Sequence, residues 1–186
     1  MTTTLTSPAL KEWSAAVHAL LDGRQTVLLR KGGIHEKRFA VAAPRFLLFP
    51  TVAHSHLERV RPEHRDLLGP AATDSTDDQI VVRAGARVID AIEVAQPENI
   101  DDIAAEHIWT SASVREDRLD FRPKRRLTVL VVSAAPLVEP VTLERVPDYR
   151  GCTSWVSLPV TPQWGRPVHD DATLREIAAR VRRSVG

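Results

Sequence analysis

The run Leu127-Thr128-Val129-Leu130-Val131-Val132 constrains the fold more than any other stretch of this chain. It is short, β-branched and almost without polar relief, which is the pattern of a central strand covered on both faces. Such a strand needs layers above and below it. At 186 residues, 43% of them hydrophobic, the chain carries enough apolar surface to supply those layers from one core. The expectation is a single α+β domain over residues 1–186, built as a mixed, largely antiparallel sheet flanked by N-terminal and C-terminal helices.

Ser7 suits a helix cap, Pro8 a first turn and Gly23 a left-handed exit, so a helix is predicted over Pro8 to Leu21 with Leu10, Trp13, Val17, Leu20 and Leu21 on one face. Gln25 to Arg30 reads as a buried strand that stops at Lys31-Gly32-Gly33. Short strands are expected at Arg38 to Ala42 and Phe46 to Phe49, punctuated by Pro44 and Pro50. Helical spacing runs from His54 to Leu68, with Pro62 starting a second helix, and Gly69 to Asp78 has the composition of a solvated loop. Ile80 to Arg83 and Ala86 to Val94 look like two strands around a tight turn at Ala84-Gly85. A helix from Ile100 to Ile108, capped by Asn99, and a strand at Trp155 to Leu158 follow. The last helix, Asp171 to Val185, sets Leu174, Ile177, Ala178, Val181 and Val185 opposite Arg175, Arg180, Arg182 and Arg183.

Lys plus Arg number 25 against 24 Asp plus Glu, a net charge of +1 that marks neither a strongly basic nor an acidic chain. The one cysteine, Cys152, has no partner for an intramolecular disulfide, and a buried thiol is expected there rather than a nucleophile. No signal-peptide pattern opens the sequence, and no stretch reaches the ~20 apolar residues that span a bilayer. A cytoplasmic protein without membrane contact is the expectation.

The stretch Arg30-Lys31-Gly32-Gly33-Ile34-His35-Glu36-Lys37-Arg38 sets glycines, which free backbone N–H groups, beside cationic side chains at a strand end. That suits an anion such as phosphate, and it equally suits a charged hairpin turn. It is neither a P-loop nor a dinucleotide fingerprint. Leu28-Leu29-Arg30 followed by Phe46-Leu47-Leu48-Phe49-Pro50 resembles the entry to Nudix hydrolases, yet only Glu58, Glu63 and Asp66 follow, without the glutamate cluster that holds magnesium. His54, His56, His64 and Glu58 lack the paired-His spacing of a zincin, so no metal site is expected and His64 is read as a structural histidine. Asp90 and Glu93 invite comparison with restriction-type nucleases, but no Lys follows at the required spacing and the two acids face opposite ways; a buried Asp90 paired with an arginine is expected instead. No motif calls for a cofactor.

Charge is segregated. Ile89 to Val114 holds six acidic residues and no Lys or Arg, whereas Arg122, Lys124, Arg125 and Arg126 form a basic knot. If that knot shares a face with Arg30 and Lys31, a phosphate-backbone footprint exists; if not, it is solubilising surface.

Ala9-Leu10-Lys11-Glu12-Trp13, Leu28-Leu29-Arg30-Lys31-Gly32-Gly33-Ile34, Phe46-Leu47-Leu48-Phe49-Pro50-Thr51 and Gly151-Cys152-Thr153-Ser154-Trp155 together resemble the bacterial and archaeal family DUF1802 over about residues 9–160. In that family Pro-Thr is followed by an aromatic residue and Glu-His-Gln, whereas here Val52-Ala53-His54-Ser55 keeps only the His. The resemblance implies no particular reaction. Some members are joined to a restriction-endonuclease-like domain, which implies a link to restriction-modification or DNA processing. The function expected is an accessory module that binds a phosphate-bearing ligand, foremost nucleic acid, through Arg30, Lys31, Gly32, Gly33, Arg122, Lys124, Arg125 and Arg126. Two alternatives stand beside it. One is a hydrolase or nuclease acting on a phosphorylated small molecule or nucleic acid, with Lys31, Glu36 and His54 in one cleft. The other is a protein-interaction module with an exposed aromatic patch such as Trp109 or Trp164.

Overall fold

Ala9 and Leu10 are both fully buried although adjacent residues of a strand face opposite ways. This double burial places the segment inside a sheet. In the computed structural model, which describes residues 4–32, 39–53 and 55–186, it is strand β1 (Ser7–Trp13), and only Ser14–Leu21 forms helix α1. The helix predicted from Pro8 is therefore half strand. Its apolar spacing fits both periods, and the ladders that β1 makes with two other strands decide between them. Ser14, the first residue of α1, donates its hydroxyl to Ala71 O at 2.8 Å.

Strands β2 (Val27–Lys31), β3 (Arg45–Thr51), β4 (Gln79–Glu93), β5 (Leu127–Glu144) and β6 (Trp155–Leu158) complete a six-stranded sheet in the order β2-β5-β4-β3-β1-β6. Among the described residues only β1 and β3 pair in parallel, so the sheet is mixed and largely antiparallel. The expected strand at Arg38 to Ala42 is absent from residues 39–42; Arg38 itself lies outside the described residues. Between β3 and β4 come α2 (His56–Arg59), a 3-10 helix (Pro62–Leu67) and α3 (Leu68–Thr73), which takes up half of the segment expected as a loop.

No turn divides β4. It runs through Ala84-Gly85, absorbing register shifts between Val82 and Ala84 and between Val88 and Asp90. Gly85 serves close approach rather than turning: a Cβ there would lie 2.2 Å from the ring of Trp164 and 2.6 Å from Phe46 O. The Arg45 guanidinium covers that ring at 3.9 Å.

The sheet curls on itself. Arg30 on β2 stands four places from β1 in the strand order, yet its Nη1 donates to Lys11 O at 2.9 Å and approaches Glu12 Oε2 at 3.4 Å. Leu10, Leu28, Phe46, Leu48, Leu130 and Val132 fill one face together with Val17 and Leu20 of α1. On the other face Val27, Leu29, Val129, Val131 and Ile92 pack against α5 (Asp171–Val185) and the 3-10 helix Pro97–Glu106. Helix α5 buries Leu174, Ile177, Ala178, Val181 and Val185, and Asp170 caps it by accepting from the Thr173 N–H at 2.7 Å. No helix among the described residues is long and apolar enough to cross a membrane.

Candidate functional site

Strand alternation separates the two cations that lie side by side in the sequence. Arg30 shares the face of Leu28 and Lys31 that of Leu29. Arg30 turns to the curled side, where Glu12 and the Lys11 carbonyl hold it and the Phe39 ring lies 5.2 Å away. Lys31 turns to the other side. Its register opposite Leu127 brings it beside the segment that carries the basic knot.

That segment begins with α4 (Ser111–Val114) and the π-helical turn Arg115–Asp120, and continues to β5. Lys31 Nζ donates to the carbonyls of Leu119 (3.1 Å), Phe121 (2.5 Å) and Arg122 (3.1 Å), so its three protons satisfy the acceptors that the end of the turn leaves over. Desolvation lowers its pKa from the ordinary lysine value. Arg122 follows with φ of 51°, a left-handed conformation, and its guanidinium sits 4.8 Å from the Phe121 ring.

Against this wall opens a cleft of about 540 Å³, lined among others by Lys31, Arg115, Arg125 and Arg126 and by the carboxylates of Glu98 and Asp120. Gly32, Arg122 and Lys124 are not among its lining residues. Gly33, Glu36 and His54 lie outside the described residues. Of the predicted ligand-binding set the cleft thus gathers Lys31, Arg125 and Arg126; Arg30 lies on the opposite face. Sequence reasoning missed Arg115, Glu98 and Asp120, which reach the cleft only because the acidic stretch and the π-helical turn fold against the same edge.

The charge segregation has a structural partner on each side. Asp90 pairs with Arg182 at 2.8 Å, Glu93 with Arg126 at 2.9 Å, Asp101 with Arg115 at 2.7 Å and Glu106 with Arg180 at 3.1 Å. Asp90 finds its arginine, but its side chain is about one-third exposed (32%) rather than buried.

Other expectations change as well. Cys152 is exposed. Trp109 is buried in the core and Trp164 half-buried under Arg45, so neither forms an exposed aromatic patch. His64 is half-buried, 3.3 Å from Arg61 Nη2. Among the described residues no group of three or more His, Cys, Asp or Glu is placed to hold a metal ion.

A family model described as a domain of unknown function, DUF1802, matches residues 9–180. The chain belongs to DUF1802. The match runs beyond the four sequence motifs to include most of α5, so that helix is part of the DUF1802 unit rather than an appendage. No curated protein matches the sequence significantly. Among solved structures, this DUF1802 chain resembles ASCH from Zymomonas mobilis, with TM-score 0.49 and 12% identity over 91% of this chain and 93% of that one. A single-site mutant of that ASCH protein gives TM-score 0.49 and 14% identity over 92% and 96%.

Proposed function

We propose that this protein is an anion-binding module whose cleft takes a phosphate-bearing ligand, with a nucleic-acid backbone as the foremost class. The observation that carries the reading is the convergence of Arg115, Arg125 and Arg126 on one open cleft of about 540 Å³ whose wall Lys31 pins from within. Lys31 acts as the brace, and the arginines meet the ligand. Arg115 and Arg126 already pair with carboxylates, but their side chains are 44% and 64% exposed. Ion pairs in solvent contribute about 0–1 kcal/mol, whereas phosphate offers arginine a bidentate, more highly charged acceptor. A phosphate can therefore displace Glu93 or Asp101 at little cost. The hydrolase or nuclease reading has less support, because backbone carbonyls already engage all three protons of the Lys31 ammonium.

Fluorescence anisotropy with labelled single-stranded RNA and duplex DNA across a salt series tests the proposal. Three arginine–phosphate contacts give log K falling with log salt at a slope of roughly −2 to −3. Arg125→Glu with Arg126→Glu should abolish the signal while leaving the fold intact by circular dichroism. Absent binding, or binding indifferent to salt, rejects it.

A further inference from the structure

Where β1, β2, α2 and the π-helical turn meet, five ionic side chains of the described residues come together. Two pairs are made: Glu12 with Arg30 at 3.4 Å, and Arg59 with Asp117 at 2.8 Å. Arg118 is the odd member. It makes no ion pair with a described residue, and its Nε is shut off from solvent with no hydrogen-bond partner. Burial depresses its pKa below the ordinary arginine value, Glu12 and Asp117 oppose that shift, and Arg30 and Arg59 add to it.

Beside it lies a cavity of about 10 Å³, lined among others by Trp13, Trp109, Arg59, Asp117 and Arg118. We propose that this cavity holds one small monovalent anion of halide size, seated against the guanidinium groups of Arg118 and Arg59. The volume admits a single water-sized body. Water there would satisfy the Nε proton but would leave, among the described residues, three guanidinium groups against two carboxylates in a medium where an unmatched charge is costly. A halide meets both demands, and the weakly hydrated guanidinium favours a weakly hydrated anion over a strongly hydrated one. The site is separate from the cleft, so either proposal stands without the other.

The test uses bromide. Crystals of the full chain grown in sodium bromide should show an anomalous peak within hydrogen-bonding distance of Arg118 Nε. In solution, Tm should rise saturably, by roughly 2–4 °C, on replacing sodium gluconate with sodium bromide or chloride at constant ionic strength. Arg118→Gln should remove that dependence, while Arg175→Gln, on the exposed side of α5, should keep it. If Arg118→Gln does not fold, the crystals and the wild-type salt comparison decide alone. Density for a water without anomalous signal, or equal Tm in gluconate and halide, overturns the assignment.

Discussion

Asp74 shows how much one buried carboxylate can organise. At 1% exposure it accepts from His18 Nε2 of α1 at 2.6 Å and from the Arg83 guanidinium of β4 at 2.5 and 2.7 Å. Burial alone would raise its pKa, but the hydrogen bonds from His18 and Arg83 hold it below the usual carboxylate range. Removing one member of a buried ionic group strands the others, so Asp74→Ala should cost about 3–5 kcal/mol. Arg115→Ala, which breaks an exposed pair with Asp101, should cost under about 1 kcal/mol. Urea midpoints of the two variants check the contrast. Nothing local announces Asp74: it sits among Thr, Ser and Asp residues that read as a solvated loop, and its two partners lie 56 and 9 residues away. Glu12 was hidden the same way, because a helical reading of Pro8 to Leu21 leaves no reason to set it beneath Arg30.

Elements whose signals are local were legible, and those settled by distant pairing were not. Helix α5 carries its own cap and an apolar stripe of helical period, and its bounds match the sequence reading. Asp170→Ala should therefore cost about 1 kcal/mol and Leu174→Ala about 2–5 kcal/mol, measured by thermal unfolding. β1 and β4 failed for the opposite reason. The first has a spacing compatible with two periods, and the second contains an Ala-Gly pair that resembles a turn until the indole above it is seen. The cleft was half legible: Lys31, Arg125 and Arg126 were marked by charge, while the face taken by Arg30 depended on how the sheet curls. Lys31→Met should unpin the wall, seen as faster amide exchange in residues 119–126 with the β5 core unchanged.

Over the whole molecule, buried histidines make the fold sensitive to acid. Desolvation pushes His107 down to about 3 and His56 to about 4; His107 Nδ1 accepts the Trp109 N–H at 3.1 Å. Above about pH 6.5 these groups are neutral folded or unfolded and cost nothing. Below it the unfolded chain takes up protons that the native state refuses, so stability falls with pH, by on the order of 2 kcal/mol for each histidine at pH 5. Asp74, with its lowered pKa, adds a loss of the same sign at still lower pH. Urea midpoints should drop steeply between pH 7 and pH 5, and His107→Asn, which retains an acceptor for Trp109, should flatten the drop. The strand order itself escaped the sequence, since the single parallel pair, β1 with β3, joins segments about forty residues apart and no local pattern encodes it.

The bare backbone at Gly85 gives the molecule an optical reporter. Trp164 lies against β4 only because no methyl group stands there, and the stretch around it is tied to β5 through Gly165 N to Pro136 O at 2.7 Å and Val138 N to Gln163 O at 2.8 Å. Gly85→Ala would lift the indole off its seat and away from the Arg45 guanidinium, loosening the return path of the chain toward α5. Its emission should shift to longer wavelength and become more accessible to acrylamide, so that one methyl group is read out as a colour change.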